Sequence, residues 1–377
     1  MVHVAEYFAG IGLAKMGLEA AGHTVTWSND ISAKKHAQFS GHYGKEAHHV
    51  YNVGDLGSVT VEDIPAGIEL AWASFPCTDL SLAGSRGGLH KGASAAYWHF
   101  IKNIARLRDR RPQTIVLENV TGFASSRSGK DIRTAIASLN GLGYSVDVLS
   151  IDARRFVPQS RPRLFIIGQR KPGLTEDLPS VLRPKWLDSI FDDEDLITHR
   201  AALPLVPELL TEGFTDLAER LDDADSRWWG EDRVLALLSS LSDLQNERLN
   251  QLLSTPGRNF RTAYRRMRSG TPRWEIKRDD IAGCLRTAGG GSSRQAVVES
   301  YEGQVRVRWM TPREYAALMG APMYRISPAL SPNEAYSGFG DAVCVPVVTW
   351  LATHFVAPEV PEPSTVSVGQ VELARSA

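Results

Sequence analysis

Two hydrophobic rhythms alternate along the first 170 residues. Short β-rich apolar runs at 2–8, 24–28, 70–75, 114–118, 145–151 and 164–168 have strand length. Between them, 13–21, 32–42, 94–110 and 131–142 carry helical spacing. In the third of these, Tyr97, Ile101, Ile104 and Leu107 share one face. Strand and helix in alternation predict a doubly wound α/β sheet. Ligands in such sheets sit at the carboxyl ends of the strands.

The rhythm breaks near Arg170-Lys171-Pro172-Gly173. The chain that follows, to about residue 300, is irregular, charged and rich in Arg and Trp, with helical pieces at 203–221 and 234–253. It reads as a second, smaller domain. A helix is expected over 311–319, because Thr311-Pro312-Arg313-Glu314 is a capping sequence with Pro at the first helical position. An apolar segment follows at 342–355, then a Pro-, Glu- and Ser-rich stretch at 357–377 that reads as a disordered tail. The resulting division is 1–172, 173–325, 326–356 (returning to the first domain) and the tail. No internal repeat is present.

Composition adds bounds. Hydrophobic residues make up 43% of the 377, enough for a large core. No run was expected to reach membrane-spanning length, and Met1-Val2-His3-Val4-Ala5-Glu6 lacks a secretory pattern, so the expectation is a soluble cytoplasmic monomer. Three scattered cysteines, Cys77, Cys284 and Cys344, imply neither a disulfide framework nor a zinc site. The net charge of −1 conceals an asymmetry. Residues 186–250 hold 16 Asp and Glu against 5 Lys and Arg, whereas 255–313 hold 13 Lys and Arg against 5 Asp and Glu. The basic segment suits phosphate contact, or simply a solvated charged face.

Several short motifs can carry chemistry. Phe8-Ala9-Gly10-Ile11-Gly12 closes the first strand and opens a helix, where glycines let a ligand approach backbone amides; a plain tight turn reads equally well. Asp30 and Asp55 follow strands, where a ribose hydroxyl is bound in such sheets or where an ordinary cap stands. Cys77, in Phe75-Pro76-Cys77-Thr78, stands where the chain leaves the sheet, a place for either an activated thiolate or an inert thiol. Glu118, in Glu118-Asn119-Val120, is costly to bury unpaired, so it faces a site or finds a partner. Arg161 and Arg163, in Gln159-Ser160-Arg161-Pro162-Arg163, alternate onto one side of a strand and can bind an anion or a base oxygen, or lie as a surface pair.

Taken in order, these blocks, together with Thr311-Pro312-Arg313-Glu314 and Gly340-Asp341-Ala342-Val343, resemble the cytosine-C5 DNA methyltransferases over about residues 4–355. The resemblance implies an α/β, doubly wound, mostly parallel sheet of the S-adenosylmethionine-dependent methyltransferase type, with a smaller irregular target-recognition domain at 173–325. It implies that Cys77 adds to C6 of a flipped-out cytosine and that Glu118 holds the N3/N4 edge. Arg163 binds O2 and Arg161 supports the pocket, with no metal. By the same resemblance, Phe8, Gly10, Gly12, Asp30, Ile31, Asp55, Leu56, Pro76 and Asp341 contact S-adenosyl-L-methionine. Double-stranded DNA is the expected partner, with a cognate restriction nuclease or defence complex beside it. Arg286, Gly290, Arg294 and Gln295, in a Gly-rich run flanked by arginines, are the expected DNA contacts.

The sequence departs from the family pattern at four places. Asp30 stands where Glu is usual, Thr78 where Gln is frequent, Leu80 where Phe is frequent, and Asp341 where Asn is usual. An Asp at 341 would repel the cofactor carboxylate unless it turns away. Three rival readings stay open: a tRNA cytosine-C5 methyltransferase, a non-catalytic DNA-binding relative, and transfer of a modified group from an altered cofactor.

Overall fold

The computed structural model describes residues 1–76, 95–176, 178–287 and 294–356. Cys77, Thr78, Leu80, Gly290 and the tail 357–377 lie outside the described residues.

The first half follows the predicted alternation: β1 His3–Tyr7, α1 Leu13–Ala20, β2 Thr24–Asp30, α2 Ala33–Tyr43, β3 Val50–Val53, β4 Leu70–Ala73, α3 Ala96–Arg106, β5 Thr114–Val120, α4 Lys130–Asn140, β6 Ser145–Asp152 and β7 Pro162–Gln169. The strands form one sheet in the order β3-β2-β1-β4-β5-β7-β6. All neighbours are parallel except β7, which runs antiparallel to both β5 and β6. β4 and the first six residues of β5 are buried throughout, as strands covered by helices on both faces must be. Strand order reverses between β1 and β4, so a crevice opens there beyond the strand ends.

The segment read as irregular contains more order than its sequence announces. α5 Asp188–Phe191 and α6 Phe214–Leu217 are single turns, and α7 Glu231–Ser239 and α8 Asp243–Ser254 are longer. They are followed by β8 Asn259–Arg268, β9 Thr271–Ile276, β10 Ala296–Tyr301 and β11 Gln304–Trp309. These strands form an antiparallel sheet in the order β11-β10-β8-β9. One face packs Ala263, Ile276, Val298 and Val307 against Leu237, Leu249 and Leu252 from α7 and α8. Trp229 lies edge-on to Trp309 at 5.0 Å, with Trp274 beside both.

Two predicted helices are corrected. The 203–221 piece is mostly extended chain with one turn at α6, because Pro204 and Pro207 cannot donate to a helix and two arginines claim its carbonyls. Arg154 Nε donates to Leu210 O at 2.6 Å and Arg155 to Pro207 O at 2.7 Å. The 234–253 piece is two helices, interrupted where Ser240 Oγ bonds back to Leu237 O at 2.7 Å.

α9 Pro312–Leu318, α10 Pro332–Asp341 and α11 Val345–Phe355 return to the first sheet. α9 carries the capping box expected of it, with Glu314 N donating to Thr311 Oγ1 at 3.2 Å and Thr311 N to Glu314 Oε2 at 2.7 Å. α11 covers α1 so closely that a Cβ at Gly17 would fall 2.6 Å from Val348 Cβ. By length and composition alone, Pro332–Phe355 is a 24-residue run apolar enough to cross a membrane. It is broken by extended backbone at Ala342 and Cys344, and 72% of its most apolar window is buried inside the protein.

Candidate active site

The turn after β1 is built from unusual backbone. Phe8, Gly10 and Gly12 have φ of 59°, 58° and 79°. Glycine adopts this left-handed region freely, whereas Phe8 holds it at a cost of about 1 kcal/mol or more. Three side chains hold the turn. Asp30 accepts from Gly10 N at 2.9 Å and Ser32 N at 2.8 Å, Tyr51 donates to Gly10 O at 2.8 Å, and Tyr43 donates to Gly12 O at 2.6 Å.

A cavity of about 510 Å³ opens beside this turn at the β1/β4 crevice. Phe8, Gly10, Asp30, Ile31, Asp55, Leu56, Pro76, Glu118, Arg161, Arg163 and Asp341 all line it. The residues anticipated from seven separate stretches of sequence therefore share one cavity. Ile31 is 71% exposed and offers an apolar surface. Asp55 caps a short 3₁₀ turn through Gly57 N at 2.6 Å, and Leu56 beside it is buried, with its carbonyl accepting from Asn103 Nδ2 at 2.9 Å. Gly12 is not among the residues lining the cavity; its φ of 79° and the 2.6 Å approach of a Cβ there to Phe39 both call for glycine.

At the far end, Glu118 is 6% exposed, and its Oε1 lies 3.1 Å from Arg163 Nε. Burial pushes its carboxyl up. Arg163, Arg161 and a hydrogen bond from Ser74 pull it back only in part, so the net shift is upward. Asn119 Nδ2 donates to Phe75 O at 3.1 Å, tying β5 to the chain that leads into Pro76 and Cys77. Arg161 is 2% exposed and works as a clamp. It donates to Leu285 O at 2.8 Å, Gly340 O at 2.9 Å and Ala342 O at 2.7 Å, joining three distant segments.

The sequence reading missed several residues here. Cys284 lies 3.6 Å from Arg161 and 3.9 Å from Arg163. Burial pushes its thiol up, and the two arginines outweigh that, leaving it below its ordinary value. Cys344, also buried but without such neighbours in contact, is pushed up to about 12. Lys35 also lines the cavity and pairs with Asp341 at 2.8 Å. No local signal marked either residue, because their partners lie more than 100 residues away.

The expected DNA contacts divide. Arg286 is exposed. Arg294 is half-buried, donates to Tyr336 Oη at 2.7 Å, and lies over the Tyr336 and Trp309 rings at 4.4 Å and 4.9 Å. Gln295 is a correction: it is 2% exposed and donates inward to Gly283 O at 2.9 Å, so its side chain holds a loop and does not face a base.

An open α/β sheet with a glycine turn and a cavity at its reversal point, closed by an acid–arginine pair, defines a methyltransferase fold. A sequence profile of the C-5 cytosine-specific DNA methylase family matches residues 2–357, and the chain belongs to that family. Among similar proteins is the Type II methyltransferase M.Bsp6I of Bacillus sp. (strain RFL6), 25% identical over 360 residues, covering 94% of this chain and 98% of that protein. M.HpaII of Haemophilus parainfluenzae is 27% identical over 368 residues, covering 91% and 86%. Among solved structures, the Dnmt2 methyltransferase of S. pombe superposes with a TM-score of 0.61 at 18% identity, covering 94% of this chain and 98% of that one. The methyltransferase EhMeth of Entamoeba histolytica gives 0.58 at 16%, covering 94% and 97%. At such identities the structures speak to the fold alone.

Proposed function

We propose that the chain transfers a methyl group from S-adenosyl-L-methionine to C5 of a flipped-out cytosine in a specific duplex DNA sequence. We place it in host DNA modification, acting as a monomer beside a restriction nuclease or defence complex. The observation that carries the reading is Glu118, held by Arg163 at 3.1 Å with its carboxyl raised, in the same cavity as the glycine turn. The Type II relatives support the biological setting.

The cavity suits the cofactor. It offers the backbone of Phe8 and Gly10, the carboxylates of Asp30 and Asp55 for hydroxyl and amine donors, and the exposed Ile31 for an aromatic face. When bound, the cofactor supplies an electrophilic sulfonium methyl. The remaining steps belong to protein residues. The Cys77 thiolate forms a bond to C6, and the electron pair of the C5–C6 double bond moves toward C5. A protonated Glu118 donates to N3, which lets the ring accept the charge. Arg163 orients Glu118 and the O2 edge, while Arg161 holds the cavity closed. Once C5 carries the methyl group, loss of its proton re-forms the C5–C6 double bond, the C6–Sγ bond breaks to release the Cys77 thiolate, and N3 returns its proton to Glu118. Cytosine C6 is inaccessible within the stack, so the base must leave the duplex. Residues 173–325 form the target-recognition part. Arg286 is its exposed candidate for a DNA contact, and Arg294 packs against Tyr336 and Trp309.

Base-resolution bisulfite sequencing of DNA from cells expressing the wild-type chain or Cys77→Ser tests this. A cytosine motif protected only by the wild type is expected. Absence of protection from protein that is expressed and binds cofactor would move the reading to RNA.

A further inference from the structure

The cavity distributes its charges unevenly. Arg161 and Arg163 serve the Glu118 end. Asp30, Asp341 and the cation Lys35 also line the cavity. Each Asp30 oxygen already accepts a backbone amide, which fixes Asp30 in the turn. The Lys35 stem runs across that turn, since a Cβ at Gly10 would lie 3.8 Å from Lys35 Cδ. Its ammonium reaches Asp341 Oδ2 at 2.8 Å, across 306 positions of sequence. The two side chains remain 27% and 44% exposed, so each keeps a face toward the cavity. Burial works against the Lys35 charge, and Asp341 and Asp30 overcome it, keeping the amine protonated beyond its ordinary range.

Asp341 is also fixed in place. It lies between Gly340 and Ala342, whose carbonyls bind Arg161. A Cβ at Gly340 would fall 2.5 Å from the Arg286 backbone. Arg161 and the Arg286 backbone therefore hold the segment that carries Asp341. A lone carboxylate there would repel an amino-acid carboxylate. A lysine and an aspartate in contact present one positive and one negative site at the spacing of an α-carboxylate and α-ammonium.

We propose that Lys35 and Asp341 act as one charge pair that grips the zwitterionic amino-acid head of the cofactor, Lys35 taking the carboxylate and Asp341 the ammonium. This rests on the S-adenosylmethionine reading above. The pair makes Asp341 tolerable where a neutral amide is usual in the family.

Calorimetric titration of the full chain with S-adenosyl-L-homocysteine and with 5′-methylthioadenosine, which lacks the amino-acid head, tests the pair. Lys35→Met is expected to weaken S-adenosylhomocysteine binding about 100-fold and to leave 5′-methylthioadenosine binding within about twofold, which also shows the fold is intact. The double variant Lys35→Met/Asp341→Asn is expected to recover about tenfold of that loss, because the unpaired carboxylate is gone. Equal loss of both ligands in Lys35→Met, or no recovery in the double variant, overturns the pair while leaving the cofactor reading in place. Wild-type protein that binds neither ligand overturns the cofactor reading and the pair with it.

Discussion

Glu6 and Glu118 both line the cavity, and burial pushes both carboxyls up, Glu6 to about 8. Lys15 and Ser28 moderate Glu6 without reversing the shift. Between its unfolded value of 4.5 and about 8, native Glu6 keeps a proton that the unfolded chain releases. The native state therefore binds more protons over this window, and stability falls as pH rises through it. Glu6→Gln removes that fall. Its stabilising effect should be small at pH 5 and grow to about 2 kcal/mol or more above pH 8, as read from denaturant unfolding at several pH values. An effect that does not change with pH would remove Glu6 as the cause. In the mechanism proposed above, the raised Glu118 carboxyl donates a proton to the base. Glu118→Gln should lower kcat by about 10²–10⁴-fold and leave S-adenosylhomocysteine affinity within about twofold, because the side chain acts on the base. A kcat loss below tenfold rules out the proton role.

At the scale of elements, the N-terminus of α9 joins the two sheets. Glu314 closes its capping box, accepts Glu219 N at 2.9 Å, and binds Arg308 of β11 at 2.6 Å, with both side chains at 0% exposure. Such a pair contributes little relative to an apolar replacement, yet removing one partner strands a buried charge. Glu314→Ala should cost about 3–5 kcal/mol of unfolding free energy. Arg308→Met combined with Glu314→Met should cost clearly less. Equal losses in the single and double variants would mean that packing, not the stranded charge, sets the energy. The Trp229–Trp274–Trp309 cluster lies on the same sheet, with Arg233 over Trp229 at 3.9 Å. This explains why an Arg- and Trp-rich stretch folds instead of staying extended.

Over the whole molecule, much of the charge asymmetry cancels in space. Arg306 of the basic segment pairs with Asp223 of the acidic one, and also with Glu299. Arg258, Arg261 and Arg268 pair with Glu299, Asp280 and Glu275. Among the described residues, Arg273, Arg278, Arg286 and Arg313 are exposed and form no ion pair. Counting arginines along the sequence thus overstates the charge available to phosphates. Arg286→Ala should lower affinity for duplex DNA and reduce the slope of log affinity against log salt by about 1. An unchanged slope would exclude a phosphate contact at this position.

The α/β half of the fold was legible because each buried strand is a continuous apolar run and each helix has an apolar stripe, both local properties. β3 and the second sheet were not. β3 is only half-buried, and β8 mixes outward arginines with inward Phe260 and Ala263, so alternation is diluted by charge. The membrane-length run at 332–355 shows the same limit from the other side: composition describes how apolar a segment is, and packing on α1 decides where it goes.

By itself, the sequence determined the order of the chemical blocks, the capping of α9 and the glycine turn, because these depend on neighbours a few residues apart. Only the tertiary structure decided the rest. It turned Gln295 inward, gave Gly12 a packing role, made Arg161 a clamp for Leu285, Gly340 and Ala342, and set Lys35 against Asp341. Those roles depend on contacts between residues well separated along the chain, or on which face of a loop is buried. Such contacts are set by how the sheets and helices pack, and no local pattern of residues records them.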